Sequence, residues 1–189
     1  MIYNRETVKA WAGDSQWRAL RADLARFQDH GFTGWGSEGL WALALYRMQR
    51  IVNELRPRWL WMPVRLFLAV VKKLFTMFIT VDLHPHAQIG PGLFIPHGGQ
   101  IRVHADAKIG ADCAIHHICT IGAGPQPGAA TIGDHVTMSC HTCIIGPVSI
   151  GDDAIIAAGS LVISDVPAGA TVLGVPARVM PGFKPRAVA

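Results

Sequence analysis

From Ile89 to Val162 an apolar residue recurs at every sixth position. The beats run Ile89, Ile95, Ile101, then Val103, Ile109, Ile115, Ile121, then Ile132, Met138, Ile144, Ile150, Ile156 and Val162. The frame slips by two residues after Ile101 and takes one eleven-residue step between Ile121 and Ile132. Gly follows the beat at Gly90, Gly110, Gly122, Gly133 and Gly151. A small residue often stands four places after it: Gly99, Ala107, Cys113, Cys119, Thr142, Ala154 and Ser160. So persistent a six-residue period marks a hexapeptide-repeat parallel β-helix. Three short strands make a triangular coil of eighteen residues, the beats stack into one core, and the small side chains fit the corners. The pattern predicts this β-helix from Val81 to about Val166, closed by Val166-Pro167-Ala168-Gly169. A last strand is expected within Val172–Val179, and a loose tail from Pro181.

Before the repeats the period changes to that of helices. Asp14 or Ser15 caps a first helix running to about Asp29, with His30-Gly31 ending it. A loop follows from Phe32 to Gly36. Ser37 then caps a second helix reaching about Leu55, where Arg56-Pro57 stops it. Leu40, Trp41, Ala44, Met48, Ile51, Val52 and Leu55 share the face expected to turn inward; Arg47, Arg50, Asn53 and Glu54 share the outward one. The stretch Trp59–Ile79 is strongly apolar, but Arg65, Lys72, Lys73 and Pro63 interrupt it. Each central charge costs a spanning helix about 2.5–3.5 kcal/mol. Arg58, Arg65, Lys72 and Thr76 form one narrow stripe, which predicts an amphipathic helix instead of a span. Its apolar face is expected to pack on neighbouring helices or subunits, with a membrane surface as the second reading. The chain thus divides into a helical region (1–80), a β-helix domain (81–180) and a tail (181–189).

Composition changes this picture little. Half of the 189 residues are hydrophobic, enough for a sizeable core. The net charge of +4 gathers between Arg47 and Lys73, and the repeats carry few Lys or Arg, so nucleic acid is not an expected partner. Met1 to Gln16 is polar and lacks the apolar run of a secretory signal. The four cysteines fall at 113, 119, 140 and 143. Cys113 and Cys119 occupy the small inward position of the hexad. Cys140-His141-Thr142-Cys143 has C-x-x-C spacing but no second ligand pair. Free thiols in a reducing, cytoplasmic compartment are expected.

The core of a β-helix is filled, so chemistry belongs on its outside. His97 and His117 each stand at the third position of their hexads, one full coil apart, and are expected on one face about 4.8 Å from each other. Asp82 lies on the preceding coil. An imidazole with a carboxylate on its far nitrogen suits general-base catalysis on an attacking hydroxyl; a row of solvated surface histidines is the plain alternative. His84, His86, His104 and His116 also crowd the first coils. Zinc needs three such ligands with a shared focus, and His104 and His116 are out of phase, so no metal is expected.

Val81-Asp82-Leu83-His84-Pro85, Ala87-Gln88-Ile89-Gly90, Gly92 through Gly99, and the ending Gly174-Val175-Pro176-Ala177-Arg178 resemble serine acetyltransferases and their relatives among the hexapeptide acyltransferases. So does the helical lead-in from Gly39-Leu40-Trp41 to Tyr46-Arg47. The resemblance covers roughly residues 37–180. It implies a left-handed β-helix, homotrimers and acetyl-CoA as co-substrate. His97 would then be the general base, Asp82 the group that orients it, and backbone amides would stabilise the oxyanion. His117 would contact acceptor or thioester. Gly122, Gly124, Ala158 and Arg178 would face the CoA arm in a groove between subunits.

The departures concern the acceptor. Pro96 stands where the serine enzymes usually have Asp. Ala129-Ala130-Thr131 replaces their Arg-His pair, the inserted loop from Gly122 to Gly128 has no Lys, and no Asp-Pro-Ala occurs in the helical region. A zwitterion without charged partners binds poorly. The sequence therefore points to an O-acetyltransferase acting on a sugar or polysaccharide precursor, cytoplasmic and touching the inner face of the membrane through residues 58–79. The first alternative is a serine O-acetyltransferase. Two others lie in different classes: a metal-dependent hydratase of the γ-carbonic-anhydrase type, and a silent scaffold, against which the presence of both Asp82 and His97 speaks.

Overall fold

The computed structural model describes residues 16–32 and 36–181. The expected cap at Asp14 or Ser15, the polar stretch before Gln16 and the tail beyond Pro181 lie outside the described residues. Three helices come first: α1 (Gln16–Asp29), α2 (Glu38–Glu54) and α3 (Met62–Ile79). Helix α1 ends where Gly31 adopts φ 76° and its N–H donates to the Gln28 carbonyl, the usual C-terminal glycine stop. At the start of α2 the Ser37 hydroxyl accepts from the Leu40 N–H at 3.4 Å, as the sequence predicts for an N-cap. Pro63 opens α3, where a missing N–H costs nothing.

The chain then winds into a parallel β-solenoid of three sheets. The first holds β1 (Val81–Leu83), β3 (Ile101–Val103), β6 (Thr120–Gly122), β9 (Cys143–Ile145) and β12 (Leu161–Val162). The second holds β2 (Gln88–Ile89), β4 (Lys108–Ile109), β7 (Thr131–Ile132) and β10 (Ser149–Ile150). The third stacks β5 (Ala114–Ile115), β8 (Thr137–Met138), β11 (Ile155–Ile156) and β13 (Thr171–Gly174). On it β14 (Ala177–Val179) folds back antiparallel, so the expected last strand is a hairpin. Register reproduces the rhythm of the sequence. Arg102 pairs with Thr120 and Cys143 with Leu161, eighteen residues on. Val81 pairs with Ile101, twenty on, and Lys108 with Thr131, twenty-three on. The frame slip and the long step are thus a two-residue and a five-residue insertion at corners. The beats are buried: Ile95, Ile101, Ile109, Ile115, Ile121, Ile132, Met138 and Ile144 stack sheet by sheet into one core.

Two corner features were hidden in the repeat. The glycines after the second-sheet strands are demanded by coil-to-coil approach: a Cβ on Gly110 would run into the Gly133 carbonyl, and one on Gly133 into the Asp152 carboxylate. Three residues after a beat the backbone turns left-handed, at Asp112, Ile118, His135, His141 and Asp153, with φ between 52° and 60°. Asp and His tolerate that region; Ile118, β-branched, is an outlier there.

Cys113 and Cys119 are buried at the small positions. Each thiol donates to a carbonyl of the next coil, Gly133 and Ser139 respectively, at 3.1 Å. Burial pushes the Cys113 thiol up to about 12 and that of Cys119 to about 11. Cys140 and Cys143 are half-buried, and burial also raises Cys143. Ellman's reagent is expected to take Cys140 and then Cys143 from the native protein, and the other two only after unfolding. Rapid reaction of all four would mean that the coil opens.

The helices close the open first coil. Its edge would otherwise leave backbone groups unpaired. Arg47 donates to the carbonyls of Ile89 (2.7 Å) and Gly90 (2.6 Å) and pairs with Asp23 at 2.9 Å. Asp23 in turn accepts from the Leu93 N–H. Tyr46 donates to the Ala87 carbonyl and Arg26 to that of Gly92. This corrects the expected orientation of α2 in part. Gly39, Ala42, Leu43, Tyr46, Arg47, Gln49 and Val52 are its buried residues; of the face expected inward, Val52 is buried and Leu40 packs on the core, while Trp41 and Met48 are exposed. The solenoid edge asks for donors, and that requirement outweighs the apolar pattern of the helix.

Helix α3 packs on its own chain through its charged side. Its polar stripe faces the protein. Arg65 donates to the Val52, Asn53 and Leu55 carbonyls at the end of α2. Lys72 donates to the Leu83 carbonyl at 2.8 Å and pairs with Asp82 at 2.7 Å. Leu68 is the buried residue of α3, and the broad apolar face points outward. Among the described residues, no helix is long and apolar enough to cross a membrane.

Candidate active site

The corner between the third and first sheets carries the chemistry. Phe94 bridges Ala114, Ile115 pairs with Met138, and Met138 with Ile156. Two residues past Ile95, Ile115, Met138 and Ile156 stand His97, His117, Cys140 and Ala158. They form a column up one edge of the solenoid, one strand spacing per step. The structure therefore brings His97 and His117 together: their ring centroids lie 6.5 Å apart. His97 is exposed, and the Phe32 ring stands 6.3 Å away. Gly39 sets this corner against α2, since any Cβ there would strike the Ile95 carbonyl.

His141 follows Cys140 at a left-handed turn. Its N–H donates to the His117 carbonyl and its ring lies 5.8 Å from that of His117. One ligand atom each from His117, Cys140 and His141 falls within 4.8 Å of the others. Two imidazoles and a thiol are a zinc-type donor set. The sequence does not show this cluster while the histidines and the C-x-x-C cysteines are weighed as separate ligand sets. Counting the column across the long step, from Ile115 to Met138, would have put Cys140 above His117.

Asp82 is not brought to His97. Its Oδ1 faces Lys72, and among the described residues no hydrogen bond or ion pair joins it to His97; Oδ2 is uncommitted. His116 is half-buried beside the pair. Burial, then the neighbouring His117 and His97, hold its imidazole below the ordinary value. His104 faces Asp106, away from this corner.

The residues expected along a CoA arm lie apart from one another in sequence but on the upper coils. Ala158 tops the histidine column. Gly122 ends β6 and Gly124 lies in the inserted loop. A Cβ on Gly122 would meet Ile145 at 3.2 Å, and one on Gly124 would meet Gly146 at 3.2 Å, so coil packing also requires small residues there. Arg178 is exposed on β14, its guanidinium turned back on the Ala177 carbonyl. Ala129 and Ala130, where an Arg-His pair was missed in the sequence, are buried.

A hexapeptide-repeat β-helix with its reactive side chains on an outer corner is the class that this fold defines. No family model matches the chain. It is 33% identical over 146 residues to the serine acetyltransferase of Helicobacter pylori (strain J99), covering 75% of this chain and 81% of that one. It is 36% identical over 131 residues to the serine acetyltransferase of Mycobacterium tuberculosis (strain H37Rv), covering 67% of this chain and 57% of that longer one. In structure it is similar to the Neisseria gonorrhoeae serine acetyltransferase in complex with serine, with a TM-score of 0.75 and 28% identity over 91% of this chain and 72% of that one. It is similar too to a serine acetyltransferase in complex with CoA, with a TM-score of 0.72 and 25% identity over 93% and 73% of the two chains. The chain belongs to the serine acetyltransferase family of hexapeptide-repeat proteins.

These relatives overturn the sugar or polysaccharide acceptor expected from the sequence. That expectation rested on charged groups missing from particular motif positions. Absence from those positions does not decide which polar groups face the site: His117 and His141 stand on the same face as His97.

Proposed function

We propose that the protein is a serine O-acetyltransferase that moves an acetyl group from acetyl-CoA to the hydroxyl of L-serine. The observation that carries this is the pairing of an exposed His97 with a half-buried His117, in a chain whose relatives are serine acetyltransferases and whose structural neighbours hold serine or CoA. His97 takes the proton of the serine hydroxyl as its oxygen attacks the thioester carbonyl. The tetrahedral intermediate collapses with loss of the CoA thiolate, which recovers that proton from the imidazolium. For Asp82 to orient His97, as the resemblance implies, its carboxylate would have to reach an imidazole it does not bond in this structure, where it pairs with Lys72; His117 contacts the acceptor. A homotrimer, with the CoA arm along Gly122, Gly124, Ala158 and Arg178 between subunits, is the assembly this reading calls for. Localisation in the cytoplasm, against a membrane along residues 58–79, completes it.

No metal takes part in this chemistry. Turnover is expected to be unchanged by a chelator. Added zinc is expected to slow it by drawing His117 to Cys140 and His141, and Cys140→Ser should relieve that inhibition. Activity that disappears on chelation would instead favour the hydratase-type reading.

The test of the function is thiol release from acetyl-CoA with L-serine, with O-acetylserine identified as product. Saturable release supports the reading. Hydrolysis of acetyl-CoA at the same rate with and without serine would end it.

A further inference from the structure

We propose that the outward face of α3 docks the enzyme on a membrane surface bearing anionic phospholipid headgroups. The face is large and unpartnered. Trp59 is 74% exposed, Leu66 67%, Phe67 65%, Met77 66% and Phe78 84%, and Val70 lies between them. With Leu74, also exposed, the residues from Leu66 onward recur at three- and four-residue intervals, a strip along an 18-residue helix, roughly 27 Å long. A contiguous apolar patch of that size on a folded chain marks a binding surface.

What the polar stripe does decides what the strip meets. Two of the three charges on the helix, Arg65 and Lys72, are held inward by the carbonyls of α2 and Leu83 and by Asp82, and Lys73 alone is exposed with the apolar strip. Those inward contacts anchor α3 against the solenoid with its apolar side outward. The helix cannot span a bilayer, but it is set to lie along one, apolar face down.

Charge chooses the partner. Residues 55–80 contain Arg56, Arg58, Arg65, Lys72 and Lys73 and no Asp or Glu. Arg56, Arg58 and Lys73 are exposed. A second copy pairing through this face would bring basic residues together with no acid on the segment to answer them. An anionic headgroup layer answers all three, and Trp59 suits the boundary between headgroups and chains.

The experiment is co-sedimentation of the full chain with vesicles of phosphatidylcholine alone or with added phosphatidylglycerol. Binding to the anionic vesicles is expected to be roughly tenfold to a hundredfold tighter and to weaken with salt. The double variant Phe67→Glu/Phe78→Glu should lose it while keeping the wild-type oligomer size and serine acetylation. Failure to bind either vesicle overturns the proposal. So does a double variant that binds as well as wild type. If the double variant has a smaller oligomer than wild type, a second copy covers the face and the proposal is also wrong. None of these outcomes depends on which acceptor the enzyme uses.

Discussion

Alanine at position 97 is expected to lower turnover of serine and acetyl-CoA by about two to four orders of magnitude, the usual range for loss of a general base. The loss should fall on kcat, because the base acts as the hydroxyl proton leaves and little before it. Folding should not suffer. His97 is exposed, and its ring contacts are with Phe32 and His117, so truncation opens no cavity. Turnover within tenfold of wild type would remove His97 from the mechanism. Asp82→Asn separates two roles. If the carboxylate orients His97, kcat falls with the KM for serine unchanged, and Lys72→Met does not copy the effect. If the carboxylate only holds α3 through its 2.7 Å contact with Lys72, the two variants behave alike.

The hexad beats made the solenoid legible down to its insertions, because a stacked core needs one large apolar side chain per strand and tolerates few exceptions. The step from Ile121 to Ile132 is visible in the sequence and reappears as the twenty-three-residue interval between Lys108 and Thr131. His97 and His117 could be placed by counting, since strand register is rigid. The helices resisted the same treatment. Their apolar faces were legible as patterns, but which face turned inward depended on the partner. For α2 the partner is an edge of unpaired carbonyls that draws in Arg47 and Tyr46; for α3 it is the end of α2 and Leu83, which draw in Arg65 and Lys72. Binary patterning assumes that an apolar face seeks the core. An unpaired β-edge reverses that preference, since a buried carbonyl without a donor costs more than an exposed side chain gains. The acceptor was misread for a related reason: absence at motif positions was taken as absence from the site.

Removing Arg47 is expected to be the most damaging single change to the fold. Arg47→Met keeps the volume and takes away the charge. Asp23 is then left fully buried and unpaired, and the Ile89 and Gly90 carbonyls lose their donor. Breaking such a pair from one side costs about 3–5 kcal/mol. The strain is already present in Asp23: burial pushes its carboxyl up, and the neighbouring guanidinium opposes the push. Lysine should not rescue the site. One ammonium cannot reach the acceptors that Nε, Nη1 and Nη2 of Arg47 serve in different directions. Removing both partners is a different case. Arg47→Met with Asp23→Leu leaves no buried charge, so urea unfolding should recover a large part of the loss, while the two carbonyls and the Leu93 N–H still lack partners. If Arg47→Met alone costs under about 1 kcal/mol, the helices are not what closes the first coil. If the double variant is no better than Arg47→Met, the carbonyls and not the charge account for the damage.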